Sequence, residues 1–151
     1  MNIDNRYTIE HVTDKPSLWS SSDPVRPELD VDFKTSPGRG VLGLMGPDGE
    51  WKAFMCYART TSVPGSVEEL DQYTSPEGSC IIPYTVWSNE KGAGREIINQ
   101  VLVLAKDPDM KVERVVTLSP TTQMARKFHL RNGATIFRTN ETTVNFEYKL
   151  V

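Results

Sequence analysis

Two cysteines and two histidines in 151 residues leave little material for redox or metal chemistry. Cys56 and Cys80 sit inside apolar, strand-like runs, and with His11 and His129 they show no zinc-site spacing, so buried structural thiols and no metal are expected. Basic charge is not in excess either. Seventeen Lys and Arg against 20 Asp and Glu give a net charge of -3, without the basic footprint that broad nucleic-acid binding leaves. No apolar run approaches the roughly 20 residues of a membrane span. Met1 to Arg6 lacks the basic stretch and apolar core of a secretion signal. The expectation is a cytoplasmic protein with neither membrane nor nucleic acid as partner. The length suits one globular core, so residues 1–151 are expected to form a single domain.

Prolines and glycines divide what is there. Arg6 to Val12 alternates apolar and polar residues as a first strand, with Tyr7, Ile9 and His11 on one face. Asp14 to Gly40 is interrupted by Pro16, Pro24, Pro27 and Pro37, which limits helix to short pieces around Ser17–Ser21 and Pro27–Phe33. Val41–Met45 and Glu50–Ala58 read as a hairpin closed by Gly46-Pro47-Asp48-Gly49. Its second strand puts Trp51, Ala53, Met55 and Tyr57 on one face and Phe54, Cys56 and Ala58 on the other. Both faces are apolar, so both need covering by helices. Thr60 to Gly78 is longer than a hairpin requires and reads as a lid or as a surface insertion with one helical turn. Ser79–Trp87 is a further strand, and Pro83 within it points to an edge or a bulge.

That strand runs into Ser88-Asn89-Glu90-Lys91-Gly92-Ala93-Gly94-Arg95, which opens directly into a helical pattern. Ala93, Ile97, Val101, Leu104 and Ala105 recur at helical spacing, with Glu96, Asn99, Gln100 and Lys106 opposite. A small-residue loop leading into a helix crowds unpaired N–H groups together and adds the positive end of the helix dipole, a favourable place for phosphate. A Rossmann fingerprint would need Gly or Ala at Ile97, and a P-loop would need Gly-Lys followed by Ser or Thr, so both are excluded. Further on, Val112–Leu118 reads as a strand. Ser119-Pro120 reads as the start of a helix that buries Met124, Ala125 and Phe128 and ends at Asn132-Gly133. Ala134–Arg138 and Thr143–Leu150 then form a terminal hairpin.

Asn89-Glu90-Lys91-Gly92-Ala93-Gly94, with Ile97 three positions on, resembles motif A (Arg/Gln-x-x-Gly-x-Gly/Ala) of the GNAT superfamily, the Gcn5-related N-acyltransferases. Asn89 replaces the usual Arg or Gln. Thr122, Ala125, Phe128, His129, Gly133 and Ala134 fall in the register of the family's motif B, with Thr122 in place of Asn and His129 in place of Tyr. The resemblance implies an α/β fold with a central mixed, mostly antiparallel sheet, helices on both faces, and a cleft where the fourth and fifth strands splay. It also implies acetyl-CoA or another acyl-CoA as cosubstrate and a primary amine as acceptor. Backbone groups near Tyr84, Thr85 and Val86 would polarise the thioester. The segment Asn89, Glu90, Lys91, Gly92, Ala93, Gly94 and Arg95 would hold the diphosphate, with Thr122 and Phe128 alongside. His129 would serve as general acid and Glu77 as base.

Two other readings fit the same residues: an acyl-CoA-binding module without turnover, and a partner-binding α/β domain in which the glycine loop is only a turn. A homodimer pairing through Thr143–Leu150 is a further expectation.

Overall fold

The computed structural model describes residues 7–150. Eight strands form one sheet: β1 (Thr8–His11), β2 (Arg39–Met45), β3 (Trp51–Thr60), β4 (Cys80–Ser88), β5 (Arg114–Val116), β6 (Ser119–Pro120), β7 (Thr135–Thr139) and β8 (Thr143–Tyr148). Among the described residues, four α-helices accompany them: α1 (Val31–Thr35), α2 (Val67–Tyr73), α3 (Ala93–Ala105) and α4 (Gln123–Arg131). The strand order is β1-β2-β3-β4-β5-β8-β6, with β7 also on β8, and every pairing is antiparallel except β4 with β5. The expected first strand thus appears as Thr8–His11; Arg6 lies outside the described residues.

The two apolar faces of the hairpin are covered as its pattern requires. On one, Leu42, Leu44, Ala53 and Met55 meet Ala93, Ile97, Ile98, Val101 and Ala105 of α3. Burying Ile97, Ile98 and Val101 contributes about 1.5–3 kcal/mol each before the cost of ordering the chain. On the other, Val41, Phe54, Cys56, Ala58, Ile82 and Tyr84 meet Val12, Trp19 and Leu70, with Leu29, Val31 and Phe33 at the margin. Trp51 belongs to this second face rather than the first. The register slips between Leu44 and Met45, leaving Lys52 as an extra residue on β3, and an extra residue inverts the side-chain alternation beyond it.

Three further expectations are corrected. Ser119 and Pro120 do not begin a helix; they pair with Val144 and Thr143 on β8, and Thr122 caps α4 by accepting a hydrogen bond from the Ala125 N–H at 3.2 Å. The helix therefore starts later, Met124 is 82% exposed, and the inward face is Ala125, Phe128 and His129. The Thr60–Gly78 segment, read as a lid or as a surface insertion with one helical turn, holds more than one turn. It carries the two turns of α2, buries Leu70, and is tied to β8 by the Thr143 hydroxyl donating to Gly65 O and the Asn145 amide donating to Pro64 O. Finally, β8 has strands on both flanks, so it offers no free edge for a second copy; β7 is the outer strand.

Candidate functional site

The site is organised by β4. Toward β3 this strand pairs from Cys80 to Ser88, but toward β5 the parallel register covers only Cys80–Arg114 and Ile81–Val115. One further link follows, the Leu118 N–H donating to Pro83 O at 3.0 Å, and then the strands part. The divergence coincides with a bulge: Cys56 faces Thr85 and Tyr57 faces Pro83, so Tyr84 is the additional residue. Pro83 thus adjoins the irregularity its missing N–H foretold. The bulge turns consecutive side chains to one face. Tyr84 stacks edge-on against Phe33 at 5.6 Å, and the Thr85 hydroxyl donates to Asp23 Oδ1 at 2.9 Å.

Beyond the bulge, the Asn89 N–H donates to Lys52 O. With Thr85 opposite Cys56 and Trp87 opposite Phe54, alternation in an antiparallel ladder commits the peptides of Thr85 and Trp87 to β3. The peptides of Val86 and Ser88 therefore face the gap. At its mouth stands the N-terminus of α3. Gly92 occupies a left-handed conformation at φ 88°, and a Cβ built on it would meet nothing within 4 Å. Among the described residues, the N–H groups of Glu90, Lys91, Gly92, Gly94 and Arg95 have no protein acceptor. Those of Asn89 and Ala93 are spent, on Lys52 O and Glu90 O. Of the seven expected diphosphate amides, Asn89 to Arg95, five are thus available and two are not.

The side chains around this corner have separate tasks. Glu90 turns toward the sheet, accepting from the Tyr7 hydroxyl at 2.5 Å and pairing with Lys52 at 3.2 Å. Those two contacts, Tyr7 first, hold its carboxyl below the ordinary glutamate value. Arg95 donates to Asn132 Oδ1 and ties the first turn of α3 to the end of α4. Gly94 is small for a packing reason, since a Cβ there would lie 2.7 Å from Phe128 Cε1. Phe128 therefore braces the helix start and Thr122 caps α4, which gives both residues structural duties.

His129 and Glu77 are not brought together. His129 is 5% exposed, stacked on Phe146, with Nδ1 2.7 Å from the Tyr148 hydroxyl. Burial pulls its pKa down to about 4, so the imidazole is neutral near pH 7 and holds no proton to give as an imidazolium. Glu77 is exposed and precedes the zipped end of β4. Tyr84 lies four residues up the strand from Cys80, about 13 Å away. Neither residue suits the acid or base role expected of it.

Sequence reasoning missed a charged cluster under the bulge. Asp23, Arg26 and Lys34 are all buried. Asp23 binds Lys34 Nζ at 2.8 Å and accepts from the N–H groups of Val25 and Arg26. Burial acts to raise the Asp23 pKa, but Lys34, these amides and Thr85 outweigh it and hold the group below the ordinary aspartate value. Arg26 donates from Nε to Tyr84 O at 3.2 Å and from a terminal nitrogen to Leu118 O at 2.9 Å, placing its guanidinium between the parting strands. The Tyr84 hydroxyl is buried without a hydrogen-bond partner among the described residues. No periodicity marks these residues; only a three-dimensional view shows polar side chains of a proline-rich segment turned inward.

A mixed sheet with one parallel β4–β5 pair, a bulge before the divergence and a glycine-started helix at the mouth is the GNAT fold, and comparisons with solved structures agree. No family model matches the chain and no curated protein does. The loading GNATL domain of CurA from Lyngbya majuscula superposes with a TM-score of 0.70 at 13% identity, covering 97% of this chain and 98% of that one. The GphF GNAT-like decarboxylase in complex with isobutyryl-CoA gives 0.69 at 18% identity, covering 95% and 100%. The N-acetyltransferase PseH of Campylobacter jejuni, in complex with acetyl coenzyme A, gives 0.61 at 12%, covering 97% and 100%. Malonyl-CoA decarboxylase from Agrobacterium vitis also matches, with a TM-score of 0.60 at 19% identity, but 80% of this chain spans only 35% of that one.

Proposed function

We propose that this chain is an acyl-CoA-dependent enzyme of GNAT type, transferring an acyl group from the thioester to an amine. The supporting observation is the gap itself: two unpaired β4 peptides, Val86 and Ser88, lead to five unspent amides at the start of α3. Extended polyamide ligands pair with such an edge as an added strand would, and a helix N-terminus receives a diphosphate. The pantetheine arm would run along β4, with the diphosphate at Lys91–Arg95 and the thioester near the bulge. The Val86 N–H, fixed by the ladder on its other flank, would donate a hydrogen bond to the carbonyl oxygen as negative charge develops on it. In transfer, the amine nitrogen bonds to the carbonyl carbon, the carbon–sulfur bond breaks, and the amine proton passes through solvent to the thiolate. Holding the two reactants together carries most of the acceleration when no base is poised.

One observation favours a second reading, decarboxylation of an acyl-CoA. The expected acid and base are out of place, and two carboxylates flanking the gap, Asp23 and Glu90, are already engaged. Loss of carbon dioxide needs no base: the carbon–carbon bond breaks, its electrons pass to the thioester as an enolate, and a solvent proton is added. Several of the structural neighbours are decarboxylases.

Incubation with acetyl-CoA and a panel of primary amines, reading free thiol, tests the first reading. Amine-dependent thiol release is expected. Carbon dioxide release from malonyl-CoA without amine-dependent thiol would replace transfer by decarboxylation. CoA binding with neither product would replace both by a non-catalytic binding module.

A further inference from the structure

We infer that Arg26 selects acyl groups ending in a carboxylate, an inference that rests on the acyl-CoA reading of the gap. The guanidinium stands where the strands part, bonded to Tyr84 O and Leu118 O, one carbonyl from each side. On the acyl-CoA reading, it would stand at the inner end of the path that begins at the α3 N-terminus. Counting along β4, Tyr84 lies four residues from Ser88, about 13 Å. With the thioester carbonyl at the Val86 N–H, two residues or about 7 Å short of Tyr84, a short acyl group carried onward would arrive at Arg26.

The charge at this position is balanced only loosely, by an exposed carboxylate that makes no hydrogen bond to it. Asp23, the nearest buried carboxylate, is already matched by Lys34 at 2.8 Å, and its remaining capacity goes to Thr85 and two amides. The other carboxylate in reach is Glu28, 3.9 Å from the second terminal nitrogen and 60% exposed on its side chain. That separation is beyond hydrogen-bond range. A splint between two carbonyls needs donors only, and a neutral amide would supply them. A buried cation with one edge unspent is costly unless an anion completes it, and the planar fork of arginine fits a carboxylate with two parallel bonds. An acyl chain with a terminal carboxylate, of malonyl or succinyl type, supplies that anion.

The test compares succinyl-CoA with butyryl-CoA, of equal chain length but without the charge, by calorimetry on the full chain. Succinyl-CoA is expected to bind about 10-fold tighter, the worth of one charge-assisted hydrogen-bond pair. Arg26→Gln should bring the ratio of the two affinities to about one. Because Arg26→Gln also loosens the strand junction, Glu28→Gln provides a second test at an exposed position. By removing the competing carboxylate it should strengthen succinyl-CoA alone. Equal affinity of the wild-type protein for the two thioesters would overturn the inference while leaving the acyl-CoA site intact. Failure of CoA itself to bind would overturn the site, and the inference with it.

Discussion

The two flanks of β4 are built by opposite rules. On the β3 side, a ladder from Cys80 to Ser88 leaves no peptide of Thr85 or Trp87 to spare; on the β5 side pairing stops after two residues. Unpaired strand peptides are ordinarily a liability, and proteins blunt or cover them. Here the divergence is held open. A bulge at Tyr84 ends the regular register, Arg26 bridges the first carbonyls beyond it, and the Asp23–Lys34 pair clamps the proline-rich segment onto the bulge. The zipped flank gives stability, and the open flank is what that stability is spent to maintain.

The largest effect expected from breaking this arrangement is at Asp23. Asp23→Ala leaves Lys34 buried without its partner and should lower stability by about 3–5 kcal/mol, read as a fall in the urea midpoint. Because the folded-state pKa of Asp23 is depressed, its contribution is complete above the unfolded value near 4 and is lost as pH falls below it. The gap between wild type and variant should therefore narrow in acid. A difference undiminished at pH 3 would contradict the clamp.

Next comes His129. Its folded pKa of about 4 lies below the unfolded value near 6.5, so the unfolded chain takes up a proton first as pH falls. Stability should be constant above pH 6.5 and decline between there and pH 4 by up to about 3 kcal/mol. His129→Phe should remove that slope. If thiol release instead followed a single ionisation near 6.5 that vanished in this variant, the histidine would be acting at the site after all.

The smallest effects separate two glycines two residues apart. Gly94→Ala meets Phe128 at 2.7 Å and should cost about 1–3 kcal/mol, recovered in part by also making Phe128→Leu. Gly92→Ala meets no neighbour, and its cost, about 1–2 kcal/mol, comes from the positive φ alone. Phe128→Leu should give Gly92→Ala no relief, which denaturation of the double variant measures.

Much of the fold could be read from local chemistry. The Ala93–Ala105 helix, the hairpin around Gly49 and the alternation through β8 each declare themselves over a dozen residues or fewer. The β4–β5 cleft followed from the family resemblance rather than from any pattern in the residues. What escaped reading was set by partners distant in the chain. Ser119-Pro120 has the chemistry of a helix start, but β8 recruits it first, and the shift of three residues moved Met124 outward and His129 inward. Trp51 changed faces because of one extra residue at Lys52. At the site, Gly92 and its amides were legible from the glycine spacing. Arg26 was not, because nothing in Asp23-Pro24-Val25-Arg26 distinguishes a surface turn from a buried clamp until Tyr84 and Leu118 are seen on either side of it.

Titration of the 15N-labelled protein with CoA, followed amide by amide, bears most directly on the open flank. The N–H signals of Val86, Ser88, Lys91, Gly92, Gly94 and Arg95 should move first and furthest, while those of Thr85, Trp87, Asn89 and Ala93, committed to protein acceptors, move less. No shift at millimolar CoA, or shifts confined to the surface hollow beside His11 and Thr35 or the one beside Ala105 and Glu113, would contradict it.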